Sequence, residues 1–307
     1  MAIVKCARNG CPNTFEQKRK TAKYCSDKCR VEASRVVDIE YMPNGAMIAG
    51  KSVEKAYDPV YHLNQFKKMG LESVSWITTG IPEFDELTQI PRGRVTQIQG
   101  PFGVGKTTLC LNMIKGLSDK KILYIDSEAA LNPQLLVNLR LNSDNFTLYN
   151  ESAFIEDIYE VIMAAVEHAK FDMIILDSLA NTTFRTEAAG NAADANIGQK
   201  AKIVNKLMRL IPMELKRTNT ALVIINQERE VIGSYAPIKY TPGGMGVPYG
   251  ASLMVSLRTT KGARFPKSGP PYKGHEITAE IIKSKVNDPW RKATFKLYYG
   301  GSDDSPR

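Results

Sequence analysis

The sequence predicts an α/β fold. It consists of a mostly parallel central sheet flanked by helices, an antiparallel extension toward the carboxyl terminus, and a small separate module at the amino terminus. Three observations lead there. From residue 78 onward, short continuous apolar runs alternate with amphipathic stretches, the pattern of a sheet buried on both faces. The runs end in polar or acidic residues, which would gather functional groups at the carboxyl ends of the strands. At 307 residues the chain can bury one large α/β core and still carry a small module.

The elements follow in order. Residues 1–35 form the amino-terminal module, and 36–75 read as linker plus an entry or oligomerisation element, with a helix over 59–69. Residues 94–99 read as a buried strand and 109–117 as the helix after it. Residues 122–126 form a short apolar strand ending in Asp126-Ser127-Glu128. Residues 154–170 have helical periodicity, with Ile155, Ile158, Ile162, Ala165 and Val166 on one face. Residues 173–176 form a strand ending in Asp177-Ser178. A second amphipathic helix spans 198–215, and Pro212 should bend it near its end. Residues 221–225 form a third strand ending in Asn226-Gln227. Beyond Ser252 three more strands, 253–259, 276–286 and 294–299, are separated by Gly/Pro turns and should extend the sheet as antiparallel strands. Tyr298 and Tyr299 read as packing residues, and the tail 301–307 should be mobile.

Between the first strand and its helix lies Gly100-Pro101-Phe102-Gly103-Val104-Gly105-Lys106-Thr107-Thr108. This fits the phosphate-binding loop of nucleoside triphosphatases, in the strand–loop–helix context the motif requires. Its glycines let backbone N–H groups face phosphate oxygens, and the helix start adds its positive dipole end. Lys106 would reach the β- and γ-phosphates, and Thr107 would ligate Mg²⁺. Asp177, after four apolar residues, has the form of the acid that holds Mg²⁺ through water, with Ser178 beside it. Glu128 is a candidate general base for the attacking water, and Gln227 could sense the γ-phosphate through its amide. ATP and Mg²⁺ are the ligands this set implies.

Four of the five cysteines, Cys6, Cys11, Cys25 and Cys29, are spaced C-x4-C-x13-C-x3-C. Two close pairs at such a separation suit a tetrahedral thiolate site for Zn²⁺, and so short a module needs metal to fold. Disulfides or unliganded thiols are the competing readings. The polar, basic first 30 residues do not have the pattern of a secretory leader, which argues against disulfides and leads us to expect a cytoplasmic, reducing setting. Cys110 reads as a core residue. No apolar run is long enough to span a membrane. Net charge is +9, and residues 1–35 supply nine Lys/Arg against three acids, or +6 of it. Such a balance suits a polyanionic partner.

The ordered set Thr79-Gly80, Gly93-Arg94, 100–108, 125–131, 175–178, Ile225-Asn226-Gln227, Thr241-Pro242-Gly243-Gly244 and Lys283-Ser284-Lys285 resembles the bacterial and phage RecA recombinases from about Thr79 to Gly300, within a core bounded at 76–300. That resemblance implies a RecA-like ATPase core, a helical homo-oligomeric filament and binding of single- and double-stranded DNA. Loading or mediator proteins would be further partners, in a bacterial or phage-infected cell. Glu128 would activate water, and Gln227 would link nucleotide state to a DNA loop. Two DNA loops would run over 183–198 and 228–247. Arg185, Lys202, Arg209, Arg229 and Lys239 are placed to meet phosphates. Ile197-Gly198 closes the first loop, and Gly243-Gly244 could offer backbone N–H groups. Lys283 and Lys285, two apart on a strand and so on one face, would reach the neighbouring subunit's nucleotide. The chain departs from that family in its cysteine module, in the expected absence of a separate carboxyl-terminal domain, in Leu135 where an aromatic residue usually meets adenine, and in an alanine-rich first loop. Two other readings stay open. One is a DNA branch-migration motor similar to RadA/Sms. The other is a nucleotide-gated protein that binds or anneals single strands without exchanging them.

Overall fold

The computed structural model describes residues 3–5, 14–16, 59–69, 73–141, 143–168, 171–185, 187, 198–230, 239–259 and 263–299. The chain divides into two units, 1–65 and 66–307. In the first, β1 (Ile3–Lys5) and β2 (Thr14–Glu16) pair antiparallel. The four paired cysteines lie outside the described residues. Helix α1 (Pro59–Lys68) closely matches the helix expected from the sequence.

In the second unit, β3 (Trp76–Ile77), α2 (Pro82–Leu87) and β4 (Ile90–Pro91) lead into β5 (Val95–Gly100), the strand before the phosphate loop. Then come α3 (Lys106–Lys115), β6 (Ile122–Asp126), α4 (Pro133–Asn138), β7 (Phe146–Tyr149), α5 (Ile155–Glu167), β8 (Met173–Asp177), α6 (Gln199–Thr218) and β9 (Ala221–Gln227). A small ladder, β10 (Arg229–Glu230) with β11 (Lys239–Tyr240), stands at the base of the second loop. Helix α7 (Gly246–Gly250), β12 (Leu253–Arg258), β13 (Arg264–Phe265), β14 (Gly274–Ser284) and β15 (Lys292–Tyr298) complete it.

The main sheet runs β13-β14-β12-β5-β9-β8-β6-β7, with β15 also paired to β14. Strands β5, β6, β7, β8 and β9 are mutually parallel. Successive residues go to opposite cores. Met173 and Ile175 of β8 pack with the helix of the phosphate loop, while Ile174 and Leu176 pack with α5 and α6. Two buried faces require apolar residues at every position, so no polar alternation marks these strands.

Three expectations need correction. Strand β12 is parallel to β5, and the antiparallel extension of the sheet consists of β13, β14 and β15. The segment from β9 to β12 includes α7 and acts as a crossover, which returns the chain in its original direction. Helix α3 starts at Lys106, so Lys106, Thr107 and Thr108 form its first turn. Helix α6 ends at Thr218, three residues beyond the expected end, with Gly198 at its amino end in the left-handed conformation (φ 93°). Strand β7 was not foreseen. It is an edge strand whose four residues are exposed or half-buried, so it lacks a continuous apolar run. Cys110 is buried as expected, and burial pushes its thiol pKa well up, leaving it unreactive.

Candidate nucleotide site and nucleic-acid face

The carboxyl ends of β5, β6, β8 and β9 converge on the phosphate loop. In register, Gly100 of β5 faces Gln227 of β9, and Asp126 of β6 faces Asp177 of β8. Gly105 takes φ 98° at the amino cap of α3, a backbone only glycine adopts without strain. The loop therefore turns straight into a helix whose first N–H groups are unpaired.

Lys106 is buried, and its ammonium donates to the carbonyls of Gly100 at 3.1 Å and Pro101 at 2.8 Å. Burial lowers its pKa, and the charges of Asp177, Glu128 and Glu228 oppose that shift. All three carboxylates are thus close enough to act on one ammonium. On the outer side of the loop, Phe102 is almost fully exposed.

Asp177 is the best-connected acid. Its Oδ2 accepts hydrogen bonds from Thr107 Oγ1 and from Tyr124 Oη, each 2.6 Å away. Burial raises its pKa to about 6; the two hydroxyls pull it down, and Glu128 and Asp126 push it up. A carboxylate destabilised by burial, 2.6 Å from a threonine hydroxyl, fits the donor set of a magnesium site. Tyr124 was not anticipated, because one hydroxyl in a wholly buried strand looks like core. Its burial and its bond to Asp177 raise its own pKa well above the usual range.

Glu128 is exposed and aimed by its neighbours. Asp126 fixes the turn after β6 by accepting the N–H groups of Glu128 at 3.1 Å and Leu131 at 2.9 Å. Ser178 Oγ donates to Glu128 Oε1 at 2.6 Å. Ser127 stitches the two strand ends: its Oγ donates to the Ser178 carbonyl and accepts the Ser178 N–H. Asp126 and Ser127 are further residues whose roles the sequence alone did not disclose.

Gln227 is half-buried beside the loop, with its N–H on Asn226 Oδ1. Asn226 Nδ2 donates to the Pro242 carbonyl at 2.9 Å, which ties the Thr241–Gly244 turn to the end of β9. Glu228 adds an unforeseen network with Gln99, Ser256 and Arg258.

The expected nucleic-acid cations are arranged otherwise. Lys202 and Arg209 are exposed on α6 and line a cavity of about 540 Å³ with Tyr249 and α7. Arg185 pairs with Asp157 and lies 5.2 Å over the Phe154 ring. Arg229 is exposed, and the backbone of Lys239 stands opposite that of Glu230 in the β10–β11 ladder. Ile197 lies outside the described residues. Gly243 and Gly244 both adopt positive φ before α7. Lys283 and Lys285 do converge, since both donate to the Tyr249 carbonyl, at 3.2 and 3.1 Å. Lys283 also donates to the Pro248 carbonyl, and burial, then Lys285, lower its pKa. Lys200, not singled out beforehand, donates to the carbonyls of Ala180 and Thr182, and burial lowers its pKa to about 8. Among the described residues no cluster of three or more metal-binding side chains of the His, Cys, Asp or Glu type occurs, and no helix is long and apolar enough to cross a membrane.

The RecA N-terminal domain family matches this chain over residues 46–303. The Protein RecA of Sulfurimonas denitrificans is 30% identical over 259 residues, covering 82% of this chain and 74% of that protein. The Protein RecA of Phytoplasma mali is 30% identical over 258 residues, covering 81% and 75%. That of Colwellia psychrerythraea is 31% identical over 235 residues, covering 76% and 67%.

Proposed function

The chain belongs to the RecA family, and from that premise we propose that it is an ATP-dependent recombinase that filaments on single-stranded DNA and pairs it with a homologous duplex. The observation that carries this reading is the placing of two hydrogen-bonded groups at the mouth of the phosphate loop: Asp177 with Thr107 and Tyr124, and Ser178 with Glu128. Lys106 and the loop N–H groups bind the triphosphate. Thr107 and Asp177 hold Mg²⁺, which when bound neutralises charge building on the phosphates. Glu128, held by Ser178, takes the proton of the attacking water. Gln227, next to the loop and joined through Asn226 to the Pro242 turn, passes the state of the γ-phosphate to the second loop.

Lys283 and Lys285 reach the nucleotide of a neighbouring subunit, and hydrolysis therefore depends on the filament. Arg185, Lys202, Arg209, Arg229, Lys239 and the Gly243-Gly244 N–H groups meet DNA phosphates, so binding is sequence-tolerant and salt-sensitive. The four paired cysteines hold one Zn²⁺ per chain, which metal analysis of purified protein would count. The deciding experiment is homologous pairing of a circular single strand with a linear duplex in ATP and Mg²⁺. Joint molecules support the reading. Directional translocation or annealing without joint molecules supports a motor or a binding protein instead.

A further inference from the structure

The underside of the phosphate loop rests on a histidine far away in sequence. His275, near the start of β14, is buried, with Nε2 3.1 Å from the Val104 carbonyl oxygen. Its ring is tilted 32° against Tyr299 at 5.5 Å. A Cβ on Gly105 would lie 2.9 Å from both Cε1 and Nε2 of the imidazole, so the loop comes down on the ring at a glycine. The other nitrogen, Nδ1, is buried and has no hydrogen-bond partner among the described residues.

A carbonyl only accepts, so Nε2 carries a proton in this contact. In a trans peptide the C=O and the following N–H point in opposite directions. Directing the Val104 carbonyl down onto His275 therefore directs the Gly105 N–H up, toward the phosphate side of the loop. An apolar side chain could fill the same space, but only a donor fixes which way the peptide faces. Leaving Nδ1 unpaired is a cost that packing alone would not require.

We infer that His275 is a positioning residue for the triphosphate: it acts through the Val104–Gly105 peptide to present an N–H to a phosphate oxygen. This rests on the proposed ATP site. The test compares full-length wild type, His275→Phe and His275→Gln. Phe keeps a flat ring against Tyr299 but cannot donate. The Gln side-chain amide can place a donor near the position of Nε2.

Binding of a fluorescent ATP analogue with Mg²⁺ is measured first, then the KM and kcat of DNA-stimulated hydrolysis, with melting curves for each protein. The expected result is that Phe weakens binding and raises KM about tenfold, the size of one lost hydrogen bond, with a much smaller fall in kcat. Gln should restore both to within about threefold of wild type. Equal affinity in all three proteins overturns the inference and spares the ATP site. Gln as weak as Phe overturns it too, since packing would then explain the loss. A wild type that does not bind ATP overturns both.

If Phe does not fold, nitrogen NMR of the wild type decides. The chain has three histidines, and His275 is the one whose signals vanish in the Gln variant. An Nε2–H tautomer whose shift moves on adding MgATP is the result expected. An Nδ1–H tautomer, or no response to nucleotide, overturns the inference.

Discussion

The mouth of the phosphate loop and the surface that bears the proposed DNA-facing cations hold their charges in opposite ways. At the loop, Lys106 and Asp177 are buried, and each is satisfied by groups of the loop and of the strands and helix that flank it. On the other surface, Lys202, Arg209 and Arg229 stand exposed, and Arg185 is taken up by a local acid. Lys283 and Lys285 are intermediate, resting on the carbonyl end of α7. The contrast separates preorganisation from recruitment. A site that stabilises developing charge gains most when its donors are fixed before the reaction. A surface that follows a polyanion can leave its geometry to the partner, because phosphate contacts are repeated and individually weak.

The largest effects are expected at the loop. Lys106→Ala should cut ATP turnover by roughly 10²–10³-fold or more, measured by phosphate release at saturating nucleotide. Glu128→Gln should lower turnover by a similar factor, about 10²–10⁴, while keeping nucleotide binding. If binding fell with turnover, Glu128 would be holding the loop together rather than handling a proton.

Asp177 gives a pH test. Its folded pKa of about 6 lies above the ordinary 3.8, so the folded state holds this proton more tightly than the unfolded chain. The stability it contributes is present below about 3.8 and is lost as pH rises through about 6. Mg²⁺ needs the same carboxylate ionised, so magnesium-dependent nucleotide binding should weaken as pH falls through about 6. Calorimetric titrations from about pH 5 to 8 would show it, and binding flat across that range would remove Asp177 from the metal.

Tyr124→Phe is a smaller change. It deletes one of the two hydroxyls on Asp177 Oδ2 and should cost roughly 1–2 kcal/mol in chemical unfolding. It should also shift the pH midpoint of magnesium binding upward, because one stabiliser of the charged form is gone. The smallest effect belongs to the other surface. Arg185→Ala should leave single-strand affinity nearly intact at low salt and flatten the salt dependence by about one phosphate contact. A loss of many-fold there would mean that this surface is preorganised too.

The legibility of the sequence follows the same division. The fold was readable because β6, β8 and β9 are short apolar runs buried on both faces, and the loop was readable because its glycines and Lys106 sit at fixed spacing. Glu128, Asp177 and Gln227 could be placed because strand ends in a parallel sheet gather on one edge. The direction of β12 was not readable, since an apolar strand looks the same whether it runs parallel or antiparallel. Tyr124 and His275 escaped for a related reason. Each is a polar atom on a core residue, and what it touches lies 53 and 171 residues away. Glu228 begins the expected second loop, and nothing near it in sequence announces the Gln99, Ser256 and Arg258 partners that the fold brings to it.

ATP hydrolysis by the full chain, with and without a homopolymeric single strand, for wild type and Lys283→Ala, is the measurement to make. A preassembled loop that waits for a neighbour's cations predicts low turnover without DNA, stimulation of at least about tenfold with it, and loss of that stimulation in the variant. Turnover that ignores both the DNA and the substitution would contradict it, and would mean that one chain holds everything hydrolysis needs.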